Sequence, residues 1–126
     1  MDGRPEEPDV RVRDVETPGV RAPGVGTLDD GALGAPLGER ATLVQFSTAF
    51  CQPCRATRRT LSEVAEMVEG VGHVEIDAEE RLDLVRALGI VRTPTVLVLD
   101  RAGRVVVRAA GQPRRADVIA ALGRAV

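Results

Sequence analysis

Apolar and polar positions fall into a regular pattern only from Ala41 onward. Thr42-Leu43-Val44-Gln45-Phe46 is β-branched and apolar, the composition of a buried strand, and predicts one over about 42–47. Cys54, Arg58, Leu61, Ala65 and Val68 then recur at helical spacing, with Val64 widening the stripe, which predicts a helix over 53–69 capped by Gly70. A strand follows at 73–77 and ends in Asp77, whose spacing to Glu80 matches a helix-capping pair. Leu82, Val85 and Leu88 mark one face of a short helix that Gly89 stops. Thr95 to Leu99 is an apolar strand, Asp100 to Gly103 is turn chemistry, and Arg104 to Arg108 reads as the returning strand. After a break at Gly111-Gln112-Pro113, the residues Val118, Ile119, Leu122 and Val126 give a last helix its apolar face. The order βαβαββα predicts an α/β fold in which early crossovers make parallel strands and the last pair a hairpin. One central mixed sheet then lies between helix layers.

The chain before this core reads differently. Five of the eight prolines and seven of the thirteen glycines stand before Ala41. Pro5, Pro8, Pro18 and Pro23 break any helix, so residues 1–26 are expected to be an irregular arm or linker and 27–126 the domain. Within the arm, Val10-Arg11-Val12-Arg13 alternates and is compatible with one short edge strand or with a solvated tail. Leu28 to Leu37 has room for one irregular helical turn.

Composition narrows the functional classes. Apolar content of 44% and charged content of 29% are those of a soluble globular domain, and 126 residues suffice for one real core. Aromatics make up only 2%, so that core must be built from Val, Leu and Ala. A net charge of −2 argues against a nucleic-acid surface. No apolar run reaches membrane-span length and no signal-peptide pattern opens the chain. A cytoplasmic location is therefore expected, the alternative being a tether through a segment outside this chain.

The chemistry concentrates in Phe50-Cys51-Gln52-Pro53-Cys54, which holds both cysteines. The predicted strand ends just before it and the predicted helix begins within it, with Pro53 suited to the first helical turn. Unpaired N–H groups and the helix dipole put positive potential there, which stabilises a thiolate. A thiol of lowered pKa is the better populated nucleophile, and a second thiol one turn later can attack the mixed disulfide it forms. Cys51 is accordingly read as nucleophile and Cys54 as resolving thiol. A purely structural disulfide closing so short a loop stabilises by only roughly 2 kcal/mol. A zinc site needs about four ligands, and besides the cysteines the chain offers one histidine, His73.

Phe46 to Cys54 (FSTAFCQPC), Val74-Glu75-Ile76-Asp77, Thr93-Pro94-Thr95 before an apolar strand, and Gly103 and Gly111 in that order resemble the thioredoxin family over about residues 41–126. The resemblance implies a thioredoxin-like fold and a thiol–disulfide oxidoreductase whose redox-active centre is the Cys51–Cys54 disulfide, without a cofactor. It implies a protein disulfide as substrate, a dithiol donor such as a reductase as partner, and a monomer. Thr93-Pro94 would be the family's cis-proline turn, exposing the Thr93 backbone so that an extended substrate pairs with it. Phe50, Gln52, Pro53, Pro94 and Gly111 would line the docking groove.

Departures from the family accompany the match. Phe50 and Ser47 stand where the family has tryptophans, and Arg59 replaces the proline that kinks its active-site helix. Gln45 occupies the place of a buried aspartate, and His73 that of its lysine partner. Deprotonating a half-buried thiol is unfavourable without an acceptor. Since glutamine cannot take a proton, His73 is expected near Gln45 beneath Cys54 as the replacement base; the alternative is a solvated histidine at a strand end. The alternative function is a non-catalytic module of the same fold that binds a metal or a partner protein.

Overall fold

The structure is a computed structural model that describes residues 13–14 and 26–126. Its elements are β1 (Arg13–Asp14), α1 (Asp30–Leu33), β2 (Ala41–Ser47), α2 (Gln52–Met67), β3 (Val71–Asp77), α3 (Leu82–Leu88), β4 (Thr95–Asp100), β5 (Val105–Ala110) and α4 (Arg115–Ala125). The strands form one mixed sheet in the order β1-β5-β4-β2-β3. Strand β2 runs parallel to β3, antiparallel pairing joins β2 to β4 and β4 to β5, and the two-residue β1 lies antiparallel on β5. Of the expected edge strand, Val10 to Val12 lie outside the described residues, as does nearly all of the arm.

Alternation along β2 divides the core into two layers. Val44 and Phe46 face one side, where Ile76, Leu97 and Leu99 join Leu84 and Leu88 of α3, Leu33 of α1, and Leu28. Ala41 and Leu43 face the other, with Val96, Val98 and Val107 against Leu61 and Val64 of α2 and Val118, Ala121 and Leu122 of α4. All seven residues of β2 are buried, because helices cover both faces and neighbouring strands cover both edges. The site is therefore mounted on the most enclosed strand of the sheet.

Several boundaries differ from the sequence reading. Helix α2 ends at Met67 rather than at 69, and Gly70 (φ 84°) makes the turn into β3 instead of capping the helix. The apolar Val68 prolonged the helical stripe, but its backbone is already extended. Asp77 and Glu80 do not cap α3: the Asp77 carboxylate accepts from the Glu79 N–H at 2.8 Å, a local turn, and α3 starts only at Leu82. The turn expected between Leu28 and Leu37 is α1, capped by Asp29, whose side chain accepts from the Ala32 N–H at 2.8 Å. Gly103 (φ 86°) has no substitute: a Cβ there would stand 2.1 Å from the Leu28 carbonyl oxygen, where the incoming chain crosses the β4–β5 turn.

Candidate redox site

Strand β2 delivers the chain to the sheet's C-terminal edge, and only Thr48 to Cys51 separate it from α2. So short a link must turn sharply, and Phe50 adopts the left-handed conformation (φ 60°) that is uncommon for a bulky residue. The residue is 96% exposed. Cys51 is the N-cap of α2, and its sulfur accepts from the Cys54 N–H at 3.2 Å. Pro53 sits in the first turn, which contains no acidic residue, so the positive end of the helix is left unscreened. Cys51 and Cys54 are joined as a disulfide with Cα atoms 5.2 Å apart. Cys51 is half-buried, whereas Cys54 is 1% exposed. Gln52 and Pro53 are exposed beside them.

A second loop closes the site from β4. The Thr93–Pro94 peptide is cis. Thr93 is half-buried, and its hydroxyl lies 3.3 Å from that of Thr48, which ties this loop to the cysteine loop. Pro94 and Gly111 are buried, with the Gly111 N–H donating to the Pro94 carbonyl at 2.8 Å.

Beneath the cysteines the register decides which groups meet. Gln45 pairs with Glu75 and Leu43 with His73. The fully buried Gln45 amide donates to the Cys54 carbonyl at 2.8 Å and to the Ser47 hydroxyl at 2.9 Å, anchoring the first turn of α2 to β2. The register does not set His73 opposite Gln45, and the Gln45 amide directs its bonds to Cys54 and Ser47. His73 stands two positions back along β3, with Nδ1 3.4 Å from the hydroxyl of Ser62, two turns down α2 from Cys54. Glu75 takes the place opposite Gln45, held by two hydrogen bonds from Arg58 at 2.7 and 2.8 Å. With both partners partly exposed, this pair contributes at most about 1 kcal/mol.

Glu75, Arg58 and Asp77, with Ser47, Thr48 and Ala49, line an open cleft of about 300 Å³ beside the cysteine loop. Arg58, chiefly through its hydrogen bond, holds the Glu75 carboxyl below the usual carboxylate range, so Glu75 is a weak proton acceptor. Alternation along a strand at 73–77 puts His73, Glu75 and Asp77 on one face, but it does not point to the Arg58–Glu75 pair. Its only signal was that arginine lies on the α2 stripe otherwise destined for the core. Among the described residues, no cluster of three or more His, Cys, Asp or Glu could hold a metal ion. Nor is any helix there long and apolar enough to cross a membrane.

Burial pushes His73 below its ordinary value of 6.5, outweighing the opposite pull of Glu75. The folded protein thus binds this proton more weakly than the unfolded chain does. The resulting stability is fully present above about pH 6.5 and is lost as pH falls through the lower folded value. The urea midpoint of the wild type should fall on acidification below pH 6.5, and His73→Gln should flatten that fall. Equal slopes in the two proteins would show that His73 titrates as in a free chain.

A two-cysteine centre at the mouth of a helix, faced by a cis-proline loop on a mixed sheet between helix layers, defines a thioredoxin fold with a redox-capable pair. The family model for thioredoxin matches residues 35–124, and the chain belongs to the thioredoxin family. Chloroplastic thioredoxin z is similar in structure, at 30% identity over 68% of this chain and 78% of its own, with a TM-score of 0.61. Thioredoxin f from spinach chloroplast is 26% identical over 70% of this chain and 78% of its own, also at 0.61. A thioredoxin mutant from Halobacterium salinarum shares the fold at 21% identity and a TM-score of 0.63, covering 69% of this chain and 75% of its own. Thioredoxin domain-containing protein 2 from Homo sapiens is 36% identical over 58 residues, 46% of this chain and 10% of the human protein. The chain thus spans about a tenth of that relative's length. The redox centre is intrinsic to the chain: its reactive atoms are the two sulfurs.

Proposed function

We propose that the protein is a thiol–disulfide oxidoreductase that reduces or exchanges protein disulfides by cycling Cys51 and Cys54 between dithiol and disulfide. The observation that carries this reading is the pairing of a half-exposed Cys51, capping a helix without acidic residues in its first turn, with a buried Cys54 one turn inside.

In the reducing direction the Cys51 thiolate attacks one sulfur of the substrate disulfide. A Cys51–substrate bond forms, the substrate S–S bond breaks, and the departing thiolate takes a proton. Cys54 then attacks the Cys51 sulfur, the internal disulfide forms, and the second substrate sulfur leaves, taking up in net terms the proton that Cys54 lost. A dithiol donor, such as the active site of a reductase, then reduces the Cys51–Cys54 disulfide to two thiols and is itself oxidised to a disulfide. Thr93 offers its backbone to an extended substrate segment, with Phe50, Gln52 and Pro53 on the rim and Gly111 behind Pro94. His73, two turns down α2, takes no step in this scheme.

The test is turnover of insulin disulfides with dithiothreitol as donor. Catalysis above the uncatalysed rate, sustained over many equivalents, is expected. Stoichiometric capture of a partner without turnover would replace this reading with that of a binding module.

A further inference from the structure

The loop Ile90–Pro94 has little internal reason to hold one shape. Ile90 is buried, but Val91 is 88% exposed and Arg92 is exposed as well. Its form is set from outside, and β5 supplies both ends of the grip. Arg108, on the face of the sheet that carries α3, donates from Nη1 to the Leu88 carbonyl at 2.6 Å and from Nη2 to the Gly89 carbonyl at 2.9 Å. These carbonyls end α3, where they have no partner within the helix and carry the negative end of its dipole. Charge-assisted bonds of this kind are about twice as strong as neutral ones. Three residues along the same chain, the Gly111 N–H takes the Pro94 carbonyl at 2.8 Å. The entry and the exit of the loop are therefore fastened to one short segment, Arg108 to Gly111. Between them, the Thr95 hydroxyl donates to the Arg92 carbonyl at 2.7 Å.

We propose that Arg108 is a positioning residue for substrate docking: it clamps the end of α3 so that the Thr93 backbone is held ready to pair with a protein substrate. The proposal rests on the reading of Thr93 as the docking backbone. It assigns Arg108 no contact with the sulfurs, so its loss separates binding from chemistry. A protein disulfide must lay an extended segment along the loop, whereas a small disulfide needs only access to Cys51.

Arg108→Met keeps most of the aliphatic stem and removes the clamp, and Arg108→Lys keeps the charge with a single point of attachment. With insulin as substrate and dithiothreitol as donor, Arg108→Met should raise KM about tenfold with kcat within about twofold of wild type. Reduction of 5,5′-dithiobis(2-nitrobenzoate) by the pre-reduced protein should stay within about twofold, and Arg108→Lys should recover part of the insulin KM. Amide exchange at Val91 to Thr93 should quicken in Arg108→Met. Equal losses on both disulfides, or an unchanged insulin KM, would overturn the proposal. If Arg108→Met fails to fold, Arg108→Lys decides alone: a severalfold rise in insulin KM supports the clamp and wild-type values refute it. A wild-type protein that turns over neither disulfide would instead defeat the oxidoreductase reading itself.

Discussion

Cys51→Ser is expected to abolish disulfide reduction, and Cys54→Ser to leave the protein covalently bound to its substrate. The two outcomes differ because the sulfurs sit differently. Cys51 is partly open at the helix mouth, so it is the atom a substrate can reach, and a serine hydroxyl there is too weakly acidic to attack. Cys54 is 1% exposed and cannot meet an outside disulfide, but it lies one turn from Cys51 and can reach a mixed disulfide formed there. Turnover in Cys51→Ser should fall below detection. In Cys54→Ser a substrate adduct should persist on non-reducing gels and add the substrate's mass in the mass spectrum. Normal turnover by Cys54→Ser would remove the resolving step and require an outside thiol in its place.

The second large effect concerns the strand that carries the site. Phe46 is fully buried on β2 among Ile76, Leu84, Leu88 and Leu97, and the chain has only one other aromatic residue, Phe50. No neighbouring ring can move in to fill the space. Phe46→Ala should therefore fall in the range of large core truncations, about 3–5 kcal/mol, made up of lost transfer energy and an unfilled cavity. Against a typical stability of about 5–15 kcal/mol this leaves the protein marginal. In urea it should lower the midpoint by roughly 2 M at an ordinary m-value. A loss under about 1.5 kcal/mol would mean that the aliphatic layers collapse onto the gap.

What could be read from the chain beforehand follows from where the information lies. Apolar periodicity marked β2, α2, α3, β4 and α4, since burial repeats with the geometry of each element. The cysteine spacing, placed between a strand and a helix, marked the site. That Glu75, and not His73, stands opposite Gln45 was not legible, because β2 and β3 are parallel and joined through a whole helix, so their register depends on how α2 ends. It ends two residues early, and β3 begins two residues before its expected start. The shift in partners, Glu75 for His73, belongs to that register. Arg108 was invisible for another reason. Its partners are backbone carbonyls, which leave no mark in the identity of Leu88 or Gly89, and in sequence it read as an ordinary polar position of a hairpin strand.

The disulfide at the mouth of α2 also makes the protein its own optical probe. With no tryptophan or tyrosine in the chain, the near-ultraviolet circular dichroism comes from that one S–S chromophore and two phenylalanines. Phe50 is exposed, with few neighbours to give its ring a strong signal, and Phe46 is buried and gives only narrow bands. Reduction removes the broad disulfide band and leaves the rest, so titration against a dithiol buffer can be followed in an unlabelled sample. The same poverty of chromophores means that concentration must be read from peptide absorbance, because 280 nm registers little besides the redox state.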